Sequence, residues 1–275
     1  MSPSQGKQNG NLWLPFPLPQ EVGIRPHHRL FPLTLTLSLK GEGTAGTRVL
    51  LWEPFFNGEK QMHTTYSTFL LAGQTVHQIT FDATTFTDAD LLWLPHHEQL
   101  LHAGRKRKAD HLAGRIAAFH ALKRQAIPGI GSNGEPLWPA GVSGSISHAG
   151  CQAVAICREK GLVGIDCEAI ISEPEAREIQ EGVIDRYEAQ LLASSGLPFD
   201  LAFTLAFSAK ESLFKALFPQ VQAWMGFESA RVTALAANTL TLTLTRPLPP
   251  FVQNQPFTLH WCRLDGVVLT LICDA

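Results

Sequence analysis

No stretch of about twenty consecutive apolar residues occurs in the 275-residue chain, so the sequence offers no membrane-spanning helix. Net charge is also scarce, −2 formally, which argues against a nucleic-acid binder held by counterion release and makes any anion site a local one. The five cysteines (Cys151, Cys157, Cys167, Cys262, Cys273) are odd in number and form no C-x-x-C pair or His/Cys ligand spacing. Neither a disulfide framework nor a zinc site is indicated, and the reading is a cytoplasmic protein in a reducing compartment. A phosphate loop of the form G-x-x-x-x-G-K-[ST] is missing, which counts against a nucleotidyl or phosphotransferase of the kind built on that loop. What is present is a globular composition, 45% hydrophobic and 17% charged, sufficient for one large core or two small ones.

Residues 1–61 are rich in Pro, Gly, Gln and Asn and hold no sustained helical stripe, so they are expected to be a poorly ordered extension. The stretch Arg25 to Leu39 alternates Leu with Thr and is broken by Pro32, a pattern of strand or leader rather than of an export signal. Ordered structure is expected from Met62, with a strand over Gln78–Asp82 and a short helix over Asp88–Leu94 stopped by Pro95. Arg105 to Leu122 carries Ala109, Leu112, Ile116 and Phe119 at helical spacing, and Arg107, His111 and Arg115 share a second face. A loop at Pro128–Gly134 precedes short strands at Gly144–His148, Gln152–Cys157 and Leu162–Glu168. Leu205 to Phe218 reads as a helix ended by Pro219, and the alternating tail (Thr239–Thr245, Phe257–Trp261, Val267–Ile272) as an antiparallel sheet.

Asp166 and Glu168, two apart on a strand, project from one face while Cys167 faces the other. Two carboxylates flanked by Val163 and Ile165 need a cation or protons to offset their repulsion, though an Asp-x-Glu taken alone is equally a solvated strand end. Glu211 and Lys215 lie one helical turn apart with Lys210 beside them; they could complete a metal shell and neutralise phosphate oxygens, or form an ordinary surface ion pair. Arg105-Lys106-Arg107-Lys108 with Arg115 is the only basic cluster, and a nucleotide phosphate suits it, although one helix face cannot aim all of them at one site. Ser147 and His148 follow a Gly-rich approach near a strand end, where His148 is either a phosphate donor or a core histidine. The other histidines, including the pairs at 27/28 and 96/97, show no ligand spacing and receive no role.

Four blocks in this order resemble the phosphopantetheinyl transferase family: Arg105 through Arg115, Trp138-Pro139 with Gly144-Ser145-Ile146-Ser147-His148, Val163 through Glu168, and Phe207 through Lys215. The likeness runs from about Met62 to the end and is strongest to the branch that arms siderophore-assembly carrier proteins. It implies an α+β (α/β) fold of two similar halves, 62–160 and 161–275, each a small antiparallel sheet packed on helices, with the active site at their interface. It also implies transfer of 4′-phosphopantetheine from coenzyme A to a serine of apo carrier domains of nonribosomal peptide synthetases, with release of 3′,5′-ADP. By the resemblance Asp166, Glu168 and Glu211 hold Mg²⁺, and Ser147, His148, Arg107 and Arg115 bind the phosphates at the adenosine end. Glu211 takes the serine proton, and Lys215, helped by Lys210, stabilises the departing group. A monomer with no nucleic-acid partner is expected, with peripheral membrane contact left open. Cys167 replaces the aliphatic residue usual between the metal carboxylates, and Asn133-Gly134-Glu135 stand where many relatives carry a lysine. A catalytically silent carrier-binding scaffold is the alternative, against which the retention of all three carboxylates and both lysines speaks.

Overall fold

The computed structural model describes residues 50–51 and 61–274. A first sheet has the order β1-β2-β3-β7-β6, from β1 (Leu50–Leu51), β2 (Thr64–Leu71), β3 (Gln74–Phe81), β6 (Ser143–Ala149) and β7 (Gln152–Arg158). A second has the order β8-β12-β11-β10-β9, from β8 (Val163–Ala169), β9 (Ala230–Leu235), β10 (Thr239–Leu244), β11 (Pro256–Leu264) and β12 (Val267–Cys273). Every neighbouring pair is antiparallel. A separate small hairpin joins β4 (Gly129–Ile130), inside the stretch expected to be loop, to β5 (Pro136–Leu137) just beyond it. Strand periodicity is explicit in β10, Thr-Leu-Thr-Leu-Thr-Leu, where Leu240, Leu242 and Leu244 are buried.

Among the described residues there are four helices, α1 (Arg105–Ala121), α2 (Glu173–Val183), α3 (Arg186–Ala193) and α4 (Phe199–Val221), with 3₁₀ turns at Asp88–Trp93, His97–Leu100 and Phe227–Ser229. The chain crosses from the first sheet to the second between Arg158 and Val163. Three cores hold the layers in the order α1, first sheet, second sheet, α4. Ala109, Leu112 and Ile116 pack α1 on Ile79, Phe81 and Ala153. Val76, Val154 and Ile156 meet Ile165, Cys167, Leu269 and Leu271 between the sheets. Leu205, Ala209, Leu213 and Leu217 pack α4 on Leu240, Leu242 and Val268.

The expected α+β architecture is therefore present, with α4 longer than its apolar stripe suggested. It starts at Phe199 and continues through Pro219 to Val221. In the last turn a proline forfeits one amide bond only, and Gln222 in the left-handed region closes the helix by donating to the Phe218 carbonyl at 2.9 Å. Helices α2 and α3 lacked a long apolar stripe, yet Asp185 and Glu188 of α3 form the reciprocal capping pattern that signals a helix start. The paired backbone of Leu50–Leu51 places ordered strand ahead of Met62; the rest of the 1–61 extension lies outside the described residues.

Two close approaches set the geometry of the site. A Cβ on Gly164 would run into the Ser212 carbonyl, so only glycine lets α4 lie this close to β8. Between the halves, edge strands β6 and β8 meet through Ser145, whose hydroxyl accepts from the Ile165 amide (3.0 Å) and faces the Ile165 carbonyl (3.3 Å). A side chain thus occupies the hydrogen-bonding positions that a further strand would fill.

Candidate active site

β8 carries Asp166 and Glu168 towards α4 and turns Cys167 into the core between the sheets, where burial pushes its thiol well above the usual range. Asp166 is 2% exposed. Its Oδ1 accepts from Lys215 Nζ at 2.6 Å and from Ser147 Oγ at 2.9 Å, and Lys215 also donates to Ser147 Oγ (3.0 Å) and the Ile165 carbonyl (3.3 Å). One ammonium of α4, one hydroxyl of β6 and one carboxylate of β8 thereby meet, a second polar tie between the strands beside the Ser145–Ile165 contact.

The charges around this point are unbalanced towards negative. Burial works against the Lys215 ammonium, yet Asp166, Glu211 and Glu168 together hold its pKa above the ordinary lysine value. Glu211, one turn before Lys215 on α4, is pushed up to about 7, first by burial and then by the Asp166 charge, with Lys215 opposing. Asp166 Oδ2 is buried without a hydrogen-bond partner, one of two such side-chain atoms among the described residues; the other is Trp138 Nε1. An orphaned carboxylate oxygen beside a second acid that resists ionisation is an arrangement that a cation would relieve.

Across β6, on the side facing α1, the surroundings are cationic. His148 Nδ1 lies 3.7 Å from Asp110 Oδ2, which also accepts from Lys106 at 2.7 Å. Burial, followed by Arg107, Lys215 and Lys106 against the opposing Asp110, brings His148 down to about 4. Arg115 is buried; burial and the nearby Arg107 lower its pKa to about 9. His111, between them on the same helix face, sits 2.9 Å from His96 (Nε2 to Nε2), and burial with Arg115, His96, Arg107 and His148 lowers it to about 2. Two guanidiniums beside three imidazoles, each held below the ordinary histidine pKa, make this wall suited to an anion rather than a cation.

The structure thus brings Ser147, Asp166, Glu211 and Lys215 together, with Glu168 on the same face of β8, and sets His148, Arg107 and Arg115 on the adjoining wall. Two expected roles shift. Lys210 is turned away from this group: its Nζ pairs with Glu188 Oε1 at 2.7 Å and donates to the carbonyls of Val183 (2.7 Å) and Phe227 (3.1 Å). One residue from Glu211 is about 100° around a helix, which is why the neighbour faces a different layer. Arg115 spends Nε and Nη2 on the carbonyls of Pro128 (2.8 Å) and Gly129 (2.9 Å), so it also anchors the β4–β5 hairpin. Asp110, His111 and His96 join the wall without having been assigned to it; the spacing of His111, four residues from both Arg107 and Arg115, was the available signal.

Lys210→Met leaves Glu188 buried without its cation, and an unfolding loss of about 3–5 kcal/mol is expected from broken buried pairs. Denaturant midpoints read this loss directly. A wild-type midpoint together with lost coenzyme A binding would return Lys210 to the phosphate site.

Acidic side chains with a lysine on one side and an arginine–histidine wall on the other are equipment for a phosphate-ester transferase. Residues 162–272 match the 4′-phosphopantetheinyl transferase superfamily, and residues 96–158 match the 4′-phosphopantetheinyl transferase N-terminal domain. The chain is 45% identical over 214 residues to Enterobactin synthase component D of Salmonella typhi, covering 77% of this chain and 91% of the relative. To the Escherichia coli (strain K12) protein of the same name it is 44% identical over 213 residues, 76% and 98% of the two chains. 4′-Phosphopantetheinyl transferase Npt of Nocardia iowensis is 34% identical over 207 residues, 68% and 91%. The chain belongs to the 4′-phosphopantetheinyl transferase superfamily. It is an enzyme whose phosphopantetheine donor is coenzyme A.

Proposed function

We propose that the chain transfers phosphopantetheine to a serine of apo carrier domains in siderophore assembly of the enterobactin type, with Asp166, Glu168 and Glu211 holding Mg²⁺. The observation that carries this reading is the buried, unpartnered Oδ2 of Asp166 beside Glu211, whose pKa is raised to about 7. Among the described residues no group of three or more His, Cys, Asp or Glu side chains forms a ready metal cage, and Lys215 sits on Asp166 Oδ1. The donor set nonetheless fits: hard carboxylate oxygens, one of them buried without a partner, beside the arginine–histidine wall proposed to receive the phosphates. Bound there, Mg²⁺ would neutralise charge on the pyrophosphate.

This chain's own residues do the rest. Arg107, with His148 and the remaining donors of Arg115, receives the phosphates of the adenosine end. Glu211 takes the proton from the carrier serine as its oxygen attacks the β-phosphorus. The bond from that phosphorus to the oxygen bridging to the adenosine side breaks, and the electron pair leaves with 3′,5′-ADP. Lys215, 2.6 Å from Asp166 and one turn from Glu211, is placed to offset the charge that develops on the departing phosphate. Ser147 holds Asp166 and Lys215 in register through their shared hydrogen bonds.

The catalytic unit is read as residues 62–160 and 161–275, with 1–61 outside it apart from the Leu50–Leu51 strand paired to β2, and the transferase acting as a cytoplasmic monomer. No helix among the described residues is long and apolar enough to cross a membrane.

Arg107 offers the cleaner test of phosphate recognition, because Arg115 also supports a hairpin. Arg107→Ala should weaken coenzyme A binding about tenfold or more while leaving 3′-dephospho-coenzyme A nearly unaffected, in line with a charge-assisted phosphate contact. Calorimetry with both ligands decides it, and equal weakening would move Arg107 to the pyrophosphate or to packing.

A further inference from the structure

The contact between His96 and His111 is not explained by packing alone. At 2.9 Å between Nε2 atoms, one ring donates and the other accepts, so the neutral pair holds its shared proton in that bond. Whichever tautomer is present, the donating ring keeps a lone pair on Nδ1. A further proton there would make an imidazolium donating to an imidazole, a stronger hydrogen bond than the neutral one. The pair can therefore gain a positive charge without losing its contact.

The surroundings oppose that charge in the free protein. Arg107 and Arg115 face His111 from its own helix, with His148 across from β6, while His97 and Arg115 act on His96. Asp110, the carboxylate on this wall, is engaged with Lys106 and faces His148, on which Lys215 also acts. Burial and these cations bring His96 to about 4 and His111 to about 2. A phosphate dianion on the wall reverses the sign of the local field.

We infer that the His96–His111 pair takes up a proton when a phosphomonoester binds against Arg107 and Arg115, so that coenzyme A recognition is coupled to pH through these two residues. The inference rests on the phosphate-site reading given above and extends it to residues outside the four sequence blocks or without a role within them. The sign follows from linkage: a proton taken up on binding makes affinity rise as pH falls, towards about tenfold per pH unit where uptake approaches one proton. The 3′-phosphate is the group whose presence should matter, since it is the phosphomonoester of coenzyme A.

The test is calorimetry of the Mg²⁺-supplemented protein near pH 6 in two buffers of different protonation enthalpy, with coenzyme A and with 3′-dephospho-coenzyme A. Wild type should take up about one proton with coenzyme A and clearly less with the dephospho ligand. His96→Asn and His111→Gln should each remove most of the uptake while coenzyme A still binds. Two separate variants guard against a folding defect in one. Phosphate-selective binding without buffer dependence overturns the inference and leaves the phosphate site standing. Uptake that survives both variants and vanishes in His148→Gln also overturns it, assigning the proton to His148. Equal affinity for the two ligands in wild type overturns it at the root, because no 3′-phosphate would then reach this wall.

Discussion

Asp166→Asn should reduce carrier modification by roughly 10³-fold or more and remove the Mg²⁺ dependence of coenzyme A binding. The substitution keeps the size of the side chain and an oxygen that can still accept from Ser147 at the position now 2.9 Å away. It replaces the second oxygen, the one without a partner, by an amide NH2 that cannot ligate a cation, and it discards the charge that holds Lys215 at 2.6 Å. Of the acids that hold the Lys215 ammonium, Glu211 and Glu168 then remain. A stability loss of up to about 3–5 kcal/mol would be typical of a buried pair broken on one side. Coenzyme A calorimetry with and without Mg²⁺, alongside denaturant unfolding, separates lost metal binding from lost fold. Wild-type Mg²⁺ response in a folded Asp166→Asn would remove Asp166 from the metal site.

Glu211→Gln should slow transfer by about 10²-fold or more even at saturating Mg²⁺, the usual contribution of a general base. Recovery of the full rate at high Mg²⁺ would make Glu211 a ligand only. The same residue predicts a pH effect on stability in the absence of divalent ions. Its pKa in the folded protein, about 7, lies above the ordinary 4.5, so the folded state binds this proton more tightly. The stabilisation it gives is present below 4.5 and is lost as pH rises through about 7. Thermal scans of the metal-free wild type should therefore show a decline across that window which Glu211→Gln lacks. Added Mg²⁺ should raise the wild-type melting temperature more at pH 8 than at pH 5, because only the ionised acid attracts it.

The parts of the site legible in the sequence are those fixed by local periodicity. Alternation along β8 separates Asp166 and Glu168 from Cys167, and the four-residue spacing on α4 joins Glu211 to Lys215. The same spacing on α1 aligns Arg107, His111 and Arg115. What was not legible depends on partners far away along the chain. Lys210 carries the same local signature as a site lysine, but Glu188 on α3 and the Val183 and Phe227 carbonyls claim it. Arg115 is shared with the Pro128–Gly129 backbone, and His96 reaches His111 from a 3₁₀ connection with no periodicity of its own. Helix α2 buries only Ala176 and Val183, too little apolar pattern to mark it. Ser145 and Ser147 serve as the joint between halves, a role visible only once β6 and β8 lie edge to edge.

The most direct test of the account is the intact mass of an apo carrier domain from an enterobactin-type synthetase after incubation with this protein, coenzyme A and Mg²⁺. The wild type should add the mass of one phosphopantetheine to the carrier and release 3′,5′-ADP. The gain should disappear when the carrier serine is replaced, when Mg²⁺ is chelated, or when Asp166→Asn is used. An unmodified carrier with folded wild-type protein, or modification that persists without divalent metal, would contradict the mechanism derived from Asp166, Glu168 and Glu211.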